Sequence, residues 1–167
     1  MEKIDGTITF DADHKSEQRL TIDPFHISRH EGIEIFHSDF SYSNLLGVVK
    51  KKEKSVTFYL NLYAEDVWQR FAVAHMLGHY FYDLASAEDM RLYCRRHLSS
   101  DHSNKRESVA DQFARQLLLP EKAVKAYLAE SADSSASLLA FHFHVPTTIA
   151  QIRMQDLLSS AGQIGQI

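Results

Sequence analysis

Apolar and polar residues alternate over Ile33-Glu34-Ile35-Phe36-His37, and this period of two predicts a strand. Two more strands are predicted at Leu45–Lys50 and Ser55–Leu62, the second rich in β-branched and aromatic residues. The lysine-rich link between them, Lys50-Lys51-Lys52-Glu53-Lys54, fits a solvated hairpin turn. Past residue 64 the period lengthens. Trp68, Phe71, Ala72, His75, Gly78, His79 and Tyr82 recur at spacings of three and four, which predicts an amphipathic helix over residues 64–83. Residues 84–103 read as a short helical pattern followed by the polar loop Ser99–Asn104. A second strong helical period starts at Lys105 and ends before Pro120. Further helices are expected over Glu121–Glu130 and Ala136–Phe143, and from Val145-Pro146-Thr147-Thr148 onward.

Strands thus precede helices, so the fold class is α+β, with a small three-stranded sheet packed on a helical bundle. The 167 residues suit a single domain, with its core over about residues 20–158 and a flexible tail over 159–167. Near the start, Thr7–Phe10 alternates like a strand, and Asp11–Arg19 reads as a polar loop or arm. Asp23-Pro24 reads as the N-cap and first position of a short helix that ends before Gly32.

Charge and cysteine narrow the classes. The net charge of −4 does not favour direct nucleic-acid binding. No apolar run reaches the roughly 20 residues of a membrane span, and Met1–Gly6 lacks a signal-like apolar stretch, so the expectation is a cytoplasmic protein. One cysteine, Cys94, excludes an internal disulfide and a cysteine-rich metal site, and is expected to be buried.

The chemistry concentrates at Arg70–Tyr80. His75 and His79 lie one helical turn apart on one face, where two imidazoles can share one metal ion. Catalytic zinc normally takes three protein ligands and keeps one open position. Glu107, in the helix after the long loop, is the best third ligand. Asp111, one turn further on, is either a hydrogen-bond acceptor for a ligand imidazole or the third ligand itself. Gly78 weakens the helix by about 1 kcal/mol relative to alanine. Close approach of another backbone or of a substrate explains it better. His14 and His37 read as surface or packing residues, as do His142 and His144 around Phe143.

Three segments together resemble the ImmA/IrrE family of metallopeptidase domains. Phe58–Asn61 with Gln69–His79 is similar to the family's strand ending in Asn and its R-F-t-x-A-H-E-L-G-H helix. Glu107–Pro120 is similar to its E-x-x-A-n-x-F-A-x-x-L-L-m-P segment. Leu138–Met154 resembles its closing helices. The match extends more weakly to Ile22-Asp23-Pro24 and Gly32-Ile33. The resemblance implies a zincin-like fold, zinc held by His75, His79 and Glu107, and a helix-turn-helix transcriptional repressor as substrate or partner.

One residue departs from the pattern. The family carries a general-base Glu after the first histidine, and this chain carries Met76. A thioether gives up no proton and accepts only weakly. General acid–base help is typically worth about 10²–10⁴-fold, so efficient hydrolysis is not expected even with zinc in place. Met76 also points about a quarter-turn from His75 and suits Cu(I) better than zinc. Three accounts of Met76 stay open. It is natural to a pseudo-peptidase, it is an inactivating change in a peptidase, or another group (His97, His102 or Glu88) serves as base. Two functions follow: an impaired peptidase acting on a repressor, or a module, toxin–antitoxin components included, that binds a regulator without cutting it. A third, DNA binding by the helices around Val145–Leu157, is weak because Arg153 is the only basic residue there.

Overall fold

A computed structural model describes residues 3–4, 7–8, 22–41, 44–84, 89–96, 104–131 and 134–163. A short antiparallel pair, β1 (Lys3–Ile4) and β2 (Thr7–Ile8), precedes the main body. The rest of the strand expected to Phe10, and the polar arm after it, lie outside the described residues. The main body runs α1 (Pro24–His30), β3 (Glu34–Ser38), β4 (Leu45–Lys52), β5 (Ser55–Asn61), α2 (Asp66–Tyr82), β6 (Met90–Arg95), α3 (Lys105–Leu118), α4 (Glu121–Glu130), α5 (Ala136–Phe143) and α6 (Thr147–Gln163).

Local chemistry sets several of these boundaries. Asp23 caps α1, its carboxylate accepting from the Phe25 amide at 3.0 Å, with Pro24 in the first turn. Gly32, at φ +71°, turns the chain from α1 into β3. Buried Asn61 ends β5. Its amide donates to the Leu45 carbonyl at 2.8 Å, and its oxygen accepts from the Tyr63 amide at 3.0 Å. Gln69 then donates to the carbonyls of Asn61 and Ala64, so the turn into α2 is held from both sides.

The sheet has four strands in the order β3-β5-β4-β6, not three. β3 runs parallel to β5; the other pairings are antiparallel. The added strand, β6, replaces the helical pattern expected after residue 84. Its own sequence alternates: Met90 and Leu92 pack on the core and Cys94 is buried, while Arg91, Tyr93 and Arg95 face solvent. The helix-forming residues before it and its two arginines obscure that alternation. Lys50, Lys51 and Lys52 belong to β4 itself, and the turn is only Glu53-Lys54, with Glu53 at φ +54°.

α2 is the centre of the molecule. Every residue from Phe71 to His79 is buried, so this helix is covered on all sides and not amphipathic as its spacing suggested. Sheet residues Phe58, Leu60 and Val49 pack with it in one core, together with Leu118, Leu139 and Ile149 from the later helices. α6 is tied back by Arg153, which donates to the Leu119 carbonyl at 3.0 Å, and by Arg115 on Asp156 at 3.1 Å. α6 continues to Gln163, into the stretch read as tail. No helix among the described residues is long and apolar enough to cross a membrane.

Gly78 is where α3 crosses α2. A Cβ there would lie 2.8 Å from Ala110 Cα and 3.1 Å from its carbonyl oxygen. Both are backbone atoms, which cannot swing aside. Gly78→Ala is therefore expected to destabilise the fold by about 1–3 kcal/mol, although alanine is the better helix former. Denaturant midpoints of the two proteins measure this, and an unchanged or raised midpoint would show that α3 does not need the close approach.

Candidate metal centre

The helix crossing at Gly78 determines what faces the two histidines. Glu107 sits one turn before Ala110, and Asp111 immediately after it, so both carboxylates are carried to α2. Glu107 Oε2 lies 3.3 Å from His75 Nε2, and its Oε1 lies 3.4 Å from His79 Nε2. The two Nε2 atoms are 3.0 Å apart. Three donor atoms therefore converge on one point. For a tetrahedral ion with bonds of about 2.0–2.1 Å, ligand atoms stand about 3.3 Å apart. The separations fit that spacing, and His75, His79 and Glu107 together can hold a metal ion.

The far side of each ring is also held. His75 Nδ1 lies 2.8 Å from Asp111 Oδ1, and His79 Nδ1 lies 2.6 Å from Asp83 Oδ2. A carboxylate at Nδ1 fixes the tautomer that presents Nε2 to a metal and increases its basicity. Asp111 thus takes the accepting role rather than a ligand position. Asp83 has the same role and was not singled out in the sequence. Its signal was there, since it stands four residues after His79, at the C-cap of the same helix.

Electrostatics reinforce the cluster. Burial opposes a charge on His75, but the hydrogen bonds and charges of Asp111 and Glu107 outweigh it. They raise His75 from its ordinary 6.5 to about 9. Burial would raise Glu107, yet its contacts with His75 and His79 hold it well below the usual carboxylate range. Cys94 is buried as expected, and burial first, then Asp111 and Glu107, push its thiol up, so it stays protonated.

An open cleft of about 360 Å³ lies over the cluster, between β6 and α3. His75, Glu107, Asp111 and Asn104 form one wall, and Arg91, Leu92, Tyr93 and Arg95 the other. Met76 lines none of it. Its side chain is fully buried, with Cε and Sδ at 3.2 and 3.3 Å from where a Cβ on Gly47 would stand. The other bases considered, Glu88, His97 and His102, lie outside the described residues. His37 is exposed, His142 stacks on Tyr127 with ring centres 4.4 Å apart, and His144 closes α5 in the left-handed conformation. None of these three joins a metal cluster among the described residues.

Two buried histidines on α2 and a half-buried carboxylate on α3, beneath the edge of a small sheet, form the donor set expected of a metallopeptidase-like domain. The family model described as the IrrE N-terminal-like domain matches residues 29–155, and the chain belongs to that family. No curated protein matches the chain.

Two outcomes follow from the ring contacts. Asp111→Asn and Asp83→Asn should each weaken zinc binding about 10–100-fold in competition with a chelating dye; unchanged affinity would remove the positioning role. The raised His75 value also carries a sign. Protonated His75 stabilises the metal-free fold fully below pH 6.5, and this is lost as pH rises through about 9. Metal binding needs the neutral ring, so zinc affinity should climb over the same interval. Melting of zinc-free protein is expected to shift downward from pH 6.5 to 9, and an upward shift would contradict the ion-paired imidazole.

Proposed function

We propose that this is a cytoplasmic, zinc-holding domain of the peptidase type that engages a helix-turn-helix transcriptional repressor and is impaired in hydrolysis. The observation that carries this reading is the contrast between two neighbouring side chains. His75 lines the cleft with Glu107 and meets His79 beneath it, while Met76 points into the core against Gly47. The ligand set is complete and the proton carrier is missing.

Zinc bound here would supply Lewis-acid polarisation of a carbonyl and lower the pKa of water to about 7. The chain's own residues do the rest. Asp111 and Asp83 hold the imidazoles in the metal-binding tautomer. β6 offers an open edge along the cleft, among the described residues, to which an extended polypeptide can add as a strand. Position 76 has no group that takes a proton from water or gives one to a leaving amine. Tyr93, Arg91 and Arg95 stand at the rim, where they can donate hydrogen bonds.

The packing of Met76 also favours a second reading, in which the domain only binds its regulator, as in a toxin–antitoxin pair. Position 76 is then part of the core and the cleft is a recognition surface. The DNA-binding alternative loses its one basic residue, because Arg153 is buried on the Leu119 carbonyl.

The test uses the full chain, its Met76→Glu and His75→Ala variants, and candidate helix-turn-helix repressors. Wild type should carry one zinc per chain, and His75→Ala should lose it. Met76→Glu should cleave about 10²–10⁴-fold faster than wild type. Equal cleavage by both would sink the impaired-base reading, and a stable complex uncut by either form selects the binding-only reading.

A further inference from the structure

The outer face of β6 carries charges that the metal site does not use. Arg91, Tyr93 and Arg95 lie at alternate positions, so all three project from the solvent side of the sheet at the rim of the cleft. Arg91 and Arg95 are four residues apart, about 13 Å along the strand. Neither has an ion-pair partner among the described residues. Arg95 instead holds its guanidinium 5.4 Å from the centre of the Tyr93 ring.

A second observation makes this charge unusual. Arg91 is directly opposite Lys50 on β4, and paired residues in a sheet share a face. Like charges in that position repel, and Lys50 also has no ion-pair partner among the described residues. The same row continues through Thr57 to Glu34, but Glu34 is on the far edge of the sheet, about 14 Å from Arg91. The acids across the cleft, Glu107 and Asp111, are committed to the histidines. So a chain of net charge −4 places three cations with no ion-pair partner among the described residues along the outer face of β6 and β4, one of them over the Tyr93 ring.

We infer that Arg91 and Arg95, with Lys50 beside Arg91, are specificity-determining residues that select an acidic extended segment of the bound protein. This rests on the peptide-cleft reading above and gives it a substrate class. A polypeptide adding to the edge of β6 places every second side chain on the face of Arg91, Tyr93 and Arg95. The preferred pattern is therefore acidic–x–aromatic–x–acidic. The acids meet the two arginines, and the central ring meets Tyr93. Glutamates placed one position inward would point to the other face.

The experiment titrates isotope-labelled protein with three capped heptapeptides, A-E-A-Y-A-E-A, its isomer A-A-E-Y-E-A-A, and A-K-A-Y-A-K-A, following backbone amide shifts along β6. Each sequence reads the same in both directions, so strand polarity does not matter. Wild type should bind the first about tenfold more tightly than the isomer, and more tightly still than the lysine peptide. The Arg91→Glu/Arg95→Glu variant should reverse the preference to the lysine peptide. Equal binding of the two glutamate isomers, an unchanged preference in the variant, or displacement of the peptide by an equimolar oligothymidylate would overturn the inference. Zinc content of the same samples separates the two ideas. Lost preference with full zinc overturns the specificity alone. A zinc-free wild type that keeps the preference supports the specificity and overturns the metal reading.

Discussion

The contact on which the rest depends is the backbone approach of α3 to α2 at Gly78. A helix pair separated by an ordinary side chain would stand farther apart, and Glu107 and Asp111 would fall short of the imidazoles. With no Cβ at residue 78, Ala110 comes against the helix itself. The carboxylates three residues before and one residue after Ala110 then arrive within 3.3 Å of His75 Nε2 and 2.8 Å of its Nδ1. One missing methyl group thus sets the geometry of the whole cluster. Its cost to helix propensity is recovered in packing, since α2 is buried on both sides of that glycine.

The cluster is also an electrostatic constraint on the fold. Two imidazoles and three carboxylates meet at the buried floor of the cleft, and charged groups there need mutual pairing. In the metal-free chain a proton on His75 does the pairing, which is why that ring resists deprotonation. A divalent ion placed among the three converging atoms would supply one more positive charge than that proton and would not compete with the Nδ1 contacts, which lie on the opposite side of each ring. The site is therefore compatible with both states without rearrangement of α2 or α3. A metal bound there would replace a proton, with Asp111 and Asp83 still holding the two rings.

The parts of this arrangement legible in the sequence were those with a fixed local spacing. The four-residue step from His75 to His79 is a helical turn wherever it occurs in a helix. The step from Glu107 to Asp111 repeats it on the facing helix. The Asp23-Pro24 cap and the break at Pro120 were similarly local. What escaped was information held in tertiary pairing. β6 was read as helical because six residues with two arginines carry a weak alternation, and only pairing with β4 turns it into a strand. With β6 missing, the second wall of the cleft was missing too, and Arg91, Tyr93 and Arg95 had no visible role. The burial of α2 on all faces was hidden for a related reason, because polar positions such as His75 and His79 make a buried helix look two-sided. Asp83 was overlooked although its spacing from His79 is as local as any in the chain.

The packing of Met76 ties the catalytic question to the core. Its Cε and Sδ fill the space that Gly47 leaves open, and a Cβ on Gly47 would meet the Tyr59 carbonyl oxygen at 2.9 Å as well as the thioether. The glycine and the methionine are thus a matched pair across the helix–sheet interface. A glutamate at residue 76 has nearly the same length but would carry a carboxylate into a fully buried position, where an unpaired charge is costly. To act as a base it would have to turn out of that packing toward the cleft and leave a void beside Gly47. At this position a proton carrier and a well-filled core compete for one side chain. Methionine resolves the competition for the core and leaves the metal ligands untouched.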